Sequence, residues 1–314
     1  MKHRIDPKID CVFKALLGSL ENRNLLVSFL NAMLADELSA PIVRVEILNP
    51  YNDKEFLDDK LSIVDVKASD ARERIFQIEI QMLRYAHLPA RMLYTWADIY
   101  SQQLQSGNAY QKLQPTYALW LLAENLVDSD NDYLHAFKMR DAKGGTLIEH
   151  GGIWLFELEK FSSQTIANEQ QRWLLFFKQG GQLDDVQLPE WMGTPEMRQA
   201  MTTLRQFSEK EVNYHAYQAR QNFLREQHTI ELELKVAQQE KAQALLREQL
   251  ALQREHDARQ REHDARQREN DARQRENDAR QREQTALQEM EAERREKEAA
   301  LAEIARLTAL HAGR

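Results

Sequence analysis

The chain has 314 residues, with 42 Lys and Arg against 50 Asp and Glu, which gives a formal net charge of −8 at pH 7. The length suits one sizeable domain with an appendage, and the acidic balance argues against a protein that coats nucleic acid. A single cysteine, Cys11, excludes a disulfide framework and a cysteine-based zinc site. The start, MKHRIDPKID, has no apolar signal core and no stretch is apolar enough to span a bilayer, so we expect a soluble, cytoplasmic protein without membrane contact.

Composition divides the chain near residue 226. Residues 1–225 hold every Trp, Tyr, Phe and Pro of the sequence, whereas residues 226–314 hold none of them. Only the first part can therefore bury a large core. We predict a globular domain over 1–225 and a charged helical tail over 226–314.

The first elements of the domain follow from the spacing of apolar residues. Helical periodicity runs over 10–35 and is interrupted near Gly18. Three alternating segments then predict strands at 42–48, 61–69 and 74–82.

The later elements are predicted by the same patterns. A helix over 88–107 begins at Pro89 and ends at Gly107, and a helix near Pro195 is expected to continue into the tail. Further elements are the strands 116–123, 133–141 and 152–160 and a helix over 164–179. Because a sheet and helices share one apolar core, we expect a mixed α/β domain.

The hairpin over 61–82 carries polar residues that could do chemistry. If its loop is centred on Arg72, one face of the two strands is apolar and must pack on the core. That register makes three pairs of opposed residues on the other face: Asp65 with Glu79, Lys67 with Gln77, and Ile63 with Gln81.

Two carboxylates therefore lie side by side on the polar face. Opposed residues have Cβ atoms about 4.5–5.5 Å apart, so the negative charges of Asp65 and Glu79 need compensation. A divalent cation such as Mg²⁺ would provide it. The alternative is an ordinary sheet with a solvated polar face, on which Lys67 neutralises the pair.

Four stretches of the sequence resemble a known family. They are DCVFKALLG (10–18), SIVDVKASD (62–70), FQIEIQ (76–81) and RMLYTWADIYSQQLQSGNAYQKLQPTYAL (91–119). In this order they resemble the recombination-promoting nuclease/putative transposase family of the PD-(D/E)XK nuclease superfamily. The resemblance covers about 110 residues of the domain, and no part of the tail matches it.

The resemblance implies a fold and an activity. The implied fold is a restriction-endonuclease-like core with the order α-β-β-β-α-β. The implied activity is metal-dependent cleavage of DNA phosphodiesters with little sequence preference, associated with recombination, mobile elements or phage defence. Where the family has a glycine after the first acidic strand, this chain has ASDARER, without glycine.

The resemblance also implies roles for individual residues. Asp65 and Glu79 would be the metal ligands, with Mg²⁺ or another divalent cation as the cofactor. Gln81 stands where the superfamily usually has a lysine, and Asp10 matches a position at which related nucleases have another acid. Lys67 is a candidate for stabilising charge in the transition state.

DNA binding by an acidic protein requires a local basic patch. Candidates for phosphate contacts lie on and after the hairpin: Arg72, Arg74, Arg84, Arg91 and Lys112. The alternative for each is a solvated surface charge.

The tail contains a seven-residue repeat over 254–288. REHDARQ occurs twice, RENDARQ twice, and REQTALQ is a decayed fifth copy. The four clear copies place eight acids four residues before an arginine, and such pairs contribute about 0.2–0.5 kcal/mol each. This pattern predicts a single helix stabilised by ion pairs. A weak coiled coil that makes a homo-oligomer, or disorder, remains an alternative because each copy has only one apolar residue.

Two other functions compete with the active nuclease. One is a catalytically idle nuclease fold that binds DNA or a partner. The other is a coiled-coil assembly protein in which the tail is the working part.

Overall fold

The computed structural model describes residues 1–50, 63–163, 165–184 and 187–311, with side chains as far as residue 307. The first two residues of the predicted strand over 61–69 lie outside the described residues. The chain forms two compact units, Met1–Glu231 and Leu232–Arg314.

The first unit contains a mixed set of helices and strands, and the helix that leaves it continues through the second unit. The helices are α1 (Asp10–Leu17), α2 (Arg23–Met33), α3 (Leu88–Ser101), α4 (Glu169–Gln179), α5 (Pro195–Glu209) and α6 (Glu211–His311). The strands are β1 (Val45–Leu48), β2 (Val66–Asp70), β3 (Ile75–Gln81), β4 (Thr116–Leu122), β5 (Leu134–Phe137) and β6 (Gly151–Glu157).

The described strands form one six-stranded sheet in the order β1-β2-β3-β4-β6-β5. The pairs β1–β2, β2–β3 and β5–β6 are antiparallel, whereas β3–β4 and β4–β6 are parallel. The parallel strands β3 and β4 are connected through α3. The predicted mixed α/β class with a long C-terminal helix is confirmed.

Helices cover both faces of the sheet. On one face, the buried residues of α1, α2, α4 and α5 form the large core with the side chains of Phe76, Ile78 and Ile80 of β3. On the other face, Leu88 and Met92 of α3 make a smaller core with residues of β4 and β6. The middle strands are therefore buried on both faces, as is usual for parallel strands.

The β2–β3 hairpin has the predicted register. Lys67 pairs with Gln77, and the three-residue loop is centred on Arg72. Glu73 takes the left-handed conformation, with φ of 61°, at the loop position that usually requires glycine. The Asp70 carboxylate compensates for the missing glycine, because it accepts hydrogen bonds from the backbone amides of Arg72 and Arg74 at 3.0 Å each.

Two predicted helix ends are wrong. Helix α3 ends at Ser101 rather than at Gly107, which has a φ of 84° in the following turn. The helix that begins at Pro195 also does not continue into the tail, since Lys210 has an extended backbone between α5 and α6. Ser208 Oγ donates to the Arg205 carbonyl at 2.7 Å, and such side-chain bonds compete with regular helix geometry.

The tail repeats form a helix with its side chains in solvent. The four Glu–Arg pairs of the clear copies have N–O distances of 2.5–2.8 Å. The four predicted Asp–Arg pairs are absent from this described segment, and Arg261 donates to the backbone carbonyl of Asp257 instead. The shorter aspartate side chain explains the difference. In the part of the chain that the structure describes, no helix has the length and apolarity needed to cross a membrane.

We predict that a peptide of residues 254–288 is a monomeric, partly helical chain whose helicity falls as salt is added. The four Glu–Arg pairs contribute about 1–2 kcal/mol together, and salt screens exposed charges beyond about 10 Å at 0.1 M. Circular dichroism at 0.02 and 1 M NaCl, with sedimentation equilibrium, measures both properties.

A control peptide has glutamine in place of the four paired glutamates Glu255, Glu262, Glu269 and Glu276. Glutamine has a similar helix propensity, so this peptide should be less helical at low salt and insensitive to added salt. Dimerisation with helicity independent of salt would contradict the single-helix prediction and favour the coiled coil.

Candidate active site

The two acids of the hairpin meet at one end of the β2–β3 pair. Asp65 lies directly before β2, and its Oδ2 accepts a hydrogen bond from the Ile80 amide of β3 at 3.0 Å. Glu79 precedes Ile80, and the Asp65 backbone amide donates to its carboxyl group. Register and hydrogen bonding thus bring Asp65 and Glu79 together.

Glu79 is buried although it lies on the polar face of the hairpin. Only 3% of its surface is exposed, because α3 covers this face of the sheet. Gln77 Nε2 lies 3.2 Å from both Glu79 Oε1 and Thr95 Oγ1 of α3, which links the strand to the helix. The alternative of a solvated polar face is therefore wrong for β3, since a helix rather than water covers its polar residues.

Burial changes the protonation of Glu79. Loss of hydration is the main cause that raises the pKa of Glu79 to about 8, and the negative charge of Asp65 adds to it. The positive charge of Arg91 and the hydrogen bond from Gln77 oppose the shift but do not cancel it. Near neutral pH, the acid pair therefore retains a proton.

Two side chains from different helices supply positive charge to the pair. Lys14 Nζ of α1 lies 3.1 Å from Asp65 Oδ1. Arg91 of α3 reaches Glu79 from the other side, with 3.8 Å between NH2 and Oε2. Each acid thus has a cationic neighbour, but neither cation removes the need for further compensation at Glu79.

Gln81 is oriented by its neighbours at the end of β3. Its Nε2 donates to the Leu83 carbonyl at 2.8 Å, and its Oε1 accepts from Arg91 NH1 at 3.2 Å. The same Arg91 nitrogen donates to Tyr85 Oη at 3.1 Å, and the guanidinium lies 5.4 Å from the Trp120 ring centroid. Arg91 therefore connects Gln81 to Glu79.

The remaining two candidates for catalysis lie at the edge of this arrangement. Lys67 is opposite Gln77 in the hairpin and is partly buried. Asp10 begins α1, and Arg220 Nε lies 3.2 Å from its Oδ1. Asp10 is one helical turn from Lys14, so an acidic and a basic residue lie on the same side of α1.

The predicted phosphate-binding residues differ in their exposure to solvent. Arg74 is only 7% exposed, because its guanidinium turns away from solvent towards Asp70. Its Nε and NH2 donate to Asp70 Oδ2 at 2.9 and 2.6 Å. Burial in this ion pair disfavours the predicted place of Arg74 in the DNA-binding patch, because the hairpin uses it as a structural pair. Arg72 and Lys112 are exposed, and Arg84 is exposed but paired with Asp128 at 2.9 Å.

Sequence reasoning missed Lys14, which pairs with Asp65, and Thr95, which contacts Gln77 beside Glu79. Lys14 is part of the DCVFK segment that carries the family resemblance, so its position four residues after Asp10 was a usable signal. No signal in the sequence indicated Thr95, because its contact with Gln77 depends on how α3 packs across the sheet.

The donor atoms of the site suit a small oxygen-binding cation. Among the described residues, no group of three or more His, Cys, Asp or Glu side chains could hold a metal ion. Two carboxylates with room for water and substrate oxygens are nevertheless a usual ligand set for Mg²⁺. Gln77 Oε1 is buried without a hydrogen-bond partner in the described chain, so an acceptor is also left over beside Glu79.

We predict that Glu79→Gln raises the melting temperature in EDTA at pH 8 but not at pH 4.5. A carboxyl with a folded-state pKa above its unfolded value destabilises the fold as pH rises from about 4.5 to 8, and glutamine cannot ionise. We expect at least about 1 kcal/mol at pH 8, or roughly 2–4 °C for a domain of this size. Thermal unfolding across this pH range measures the difference.

Glu157→Gln is the matched control with the opposite sign. Glu157 is a buried carboxylate of β6; burial opposes its ionisation, but bonds from Lys160 and from the Leu126 and Val127 amides outweigh burial and lower its pKa. Its contribution to stability is present above the unfolded pKa and is lost as pH falls, so this variant should be less stable at pH 8. A Glu79→Gln variant that is destabilised more at pH 8 than at pH 4.5 would contradict the assigned shift.

The comparison with protein families agrees with the resemblance found in the sequence. The family described as PD-(D/E)XK nuclease family transposase matches residues 7–234, which is more than half of the chain. No curated protein and no solved structure matches the chain. The matched range includes both residues of the acid pair and their neighbours. The family description indicates a nuclease or transposase type of function. The chain belongs to the PD-(D/E)XK nuclease family transposases.

Proposed function

We propose that the protein is a metal-dependent DNA endonuclease that hydrolyses phosphodiester bonds with little sequence preference. The observation that carries the proposal is the buried Glu79, with its pKa raised to about 8, beside Asp65. Strongly shifted carboxylates in contact with a second charge are more frequent at functional sites than elsewhere. Family membership supplies the type of reaction.

Asp65 and Glu79 would hold Mg²⁺ or another divalent cation. A cation bound there supplies a Lewis acid for a phosphate oxygen and lowers the pKa of a water molecule. The two carboxylates would lose their mutual repulsion, and Glu79 would give up the proton that burial favours. Ligand binding at this site is therefore expected to release protons near neutral pH.

The other residues act through hydrogen bonds and charge. Gln81 cannot be a general base because an amide takes no proton near neutral pH, so it would orient water or phosphate. Arg91 holds the Gln81 carbonyl in place. Lys67 would stabilise charge that develops on the phosphate, and Asp10 is a further acid on the adjacent helix.

DNA would approach over cations that are spread along the hairpin and the elements after it, from Arg72 in the loop to the partly exposed Arg91 beside Glu79. We assign phosphate contacts to Arg72, Arg84, Arg91 and Lys112, since salt-dependent contacts of this kind position a duplex without reading its sequence. Arg84 would have to exchange Asp128 for phosphate. Few such contacts are consistent with an acidic protein that binds DNA weakly.

We further propose how the chain is organised. The order α2-β1-β2-β3-α3-β4 supports a restriction-endonuclease-like core within a nuclease domain over 1–225. The tail over 226–314 would act as a helical spacer, or as the homo-oligomer contact if it pairs. Recombination, movement of mobile elements and phage defence are the cytoplasmic processes that such an activity would serve.

We predict that Asp65→Asn and Glu79→Gln each reduce plasmid cleavage by at least about 10³-fold in Mg²⁺. Each substitution removes one of the two carboxylates that would bind the cation. Both variants should remain folded. Gln81→Lys should retain measurable cleavage, since lysine is the residue of the wider superfamily at this position. Conversion of supercoiled plasmid to nicked and linear forms, with and without EDTA, is the measurement.

Glu169→Gln is the control for removal of a carboxylate. Glu169 is an exposed residue of α4 paired with Arg172, and α4 belongs to the large core on the other face of the sheet. This variant should cleave like the parent. Wild-type rates in Asp65→Asn or Glu79→Gln would refute the site, and a folded parent that cleaves no DNA would favour the idle nuclease fold.

We predict that Arg72→Ala weakens DNA binding and reduces the salt dependence by about one phosphate contact, a change of about 0.9 in the slope of log K against log salt. Arg198→Ala is the matched control, since Arg198 is an exposed residue of α5. Arg74→Ala should instead lower stability by about 3–5 kcal/mol, because it leaves Asp70 buried without its partner. Fluorescence anisotropy from 50 to 200 mM NaCl measures the DNA binding of Arg72→Ala and Arg198→Ala, and denaturant unfolding measures the stability of Arg74→Ala.

A further inference from the structure

The two cations beside the acid pair differ in how firmly they are held. Arg91 has contacts in several directions: its guanidinium donates to Gln81 and to Tyr85, and it lies over the indole ring of Trp120. These contacts fix the guanidinium plane next to Glu79. Arg91 is therefore a stationary charge of the site.

The backbone of Lys14 is held in place, whereas its side chain is partly exposed to solvent. Helix α1 is anchored by the buried side chains of Val12, Phe13, Leu16 and Leu17, so the Cα of Lys14 is fixed. Its side chain is 43% exposed, and its described ion pair is the one with Asp65 at 3.1 Å. The four-carbon stem of a lysine can change rotamers on such a surface without disturbing the core.

The neighbouring acid does not compete for this lysine. Asp10 lies four residues earlier on α1, at the spacing that usually gives an ion pair. Its carboxylate is instead 3.2 Å from Arg220 Nε. Arg220 thus leaves Lys14 available for Asp65.

A divalent cation at Asp65 would compete with the two partners that the carboxylate has now, and only one of them can move. Its Oδ2 accepts from the Ile80 amide, which belongs to the sheet and cannot move away. Its Oδ1 is occupied by Lys14, which can. A cation that takes Oδ1 would therefore displace the ammonium group by competition and by like-charge repulsion.

We propose that Lys14 is the mobile cation of the active site: it pairs with Asp65 in the metal-free protein, and after a divalent cation displaces it, it contacts a non-bridging oxygen of the scissile phosphate. This inference rests on the proposed nuclease function. Lys14 makes ionic contacts only and takes part in no covalent step. It supplies the point charge that the amide of Gln81 cannot provide.

Mn²⁺ binding by the full-length protein tests the exchange without any need for activity. Lys14→Met removes the competitor for Asp65, so the Kd for Mn²⁺, measured from the paramagnetic resonance signal of the free ion, should fall about fivefold or more. Lys8→Met is the matched control, because Lys8 also lies 3.1 Å from an aspartate, Asp6, outside the site. Its Kd should equal that of the parent.

DNA cleavage tests the contact with phosphate. Lys14→Met should lower kcat by about 100-fold or more with little change in KM, because a charge that stabilises the transition state is lost. Lys14→Arg should restore a large part of the rate. The melting temperature of Lys14→Met should stay within about 2–4 °C of the parent value, since half-exposed ion pairs contribute little to stability.

The outcomes separate this inference from the proposed function. Tighter Mn²⁺ binding by Lys14→Met, in a protein that cleaves no DNA, would support the exchange and refute the nuclease. Parent-like cleavage by Lys14→Met, in a protein whose parent is active, would refute the role of Lys14 and leave the nuclease intact. An unchanged or weaker Kd for Mn²⁺ would overturn the exchange, as would a parent that binds no Mn²⁺. If Lys14→Met does not fold, Lys14→Gln replaces it in both measurements.

Discussion

The Asp70 carboxylate fixes the register on which the site depends. It bonds to the amides of Arg72 and Arg74 and to the Arg74 guanidinium, and so closes a three-residue loop that has no glycine. A shift of one residue would move every side chain of β3 to the other face of the sheet. Glu79 would then lie in the large apolar core, away from Asp65. A structural ion pair at the loop therefore determines where the acids meet.

Helix α3 converts an alternating hairpin into a site. Without it, Gln77 and Glu79 would face water, and two neighbouring carboxylates would be screened and ionised. With α3 packed across the sheet, Thr95 bonds to Gln77 and Glu79 loses its hydration, which raises the pKa of Glu79. The cost of burying this charge is what would make a cation at the acid pair favourable.

Two buried carboxylates of the same sheet show that burial alone does not make a site. Glu157 of β6 has two backbone amides and Lys160 bonded to it, and these interactions lower its pKa despite burial. Its charge is satisfied, and it holds the loop after β4 in place. Glu79 has fewer donors and a negative neighbour, so its charge is unsatisfied. The two carboxylates differ in their hydrogen-bond donors and charged neighbours. That difference distinguishes a carboxylate with a structural role from one whose charge could be compensated by a ligand.

The sequence by itself determined the order of the elements, the register of the hairpin and the pairing of Asp65 with Glu79, because alternation and turn position are local properties. It also determined the Glu–Arg pairs of the tail, which depend only on spacing along one helix. The burial of Glu79, the loss of Arg74 to an ion pair and the approach of Lys14 to Asp65 were decided by the tertiary structure. The burial of Glu79 and the approach of Lys14 depend on which helix packs on which face of the sheet, and their contacts join residues that are far apart in the chain. The Arg74 pair is formed within the hairpin loop, four residues from Asp70.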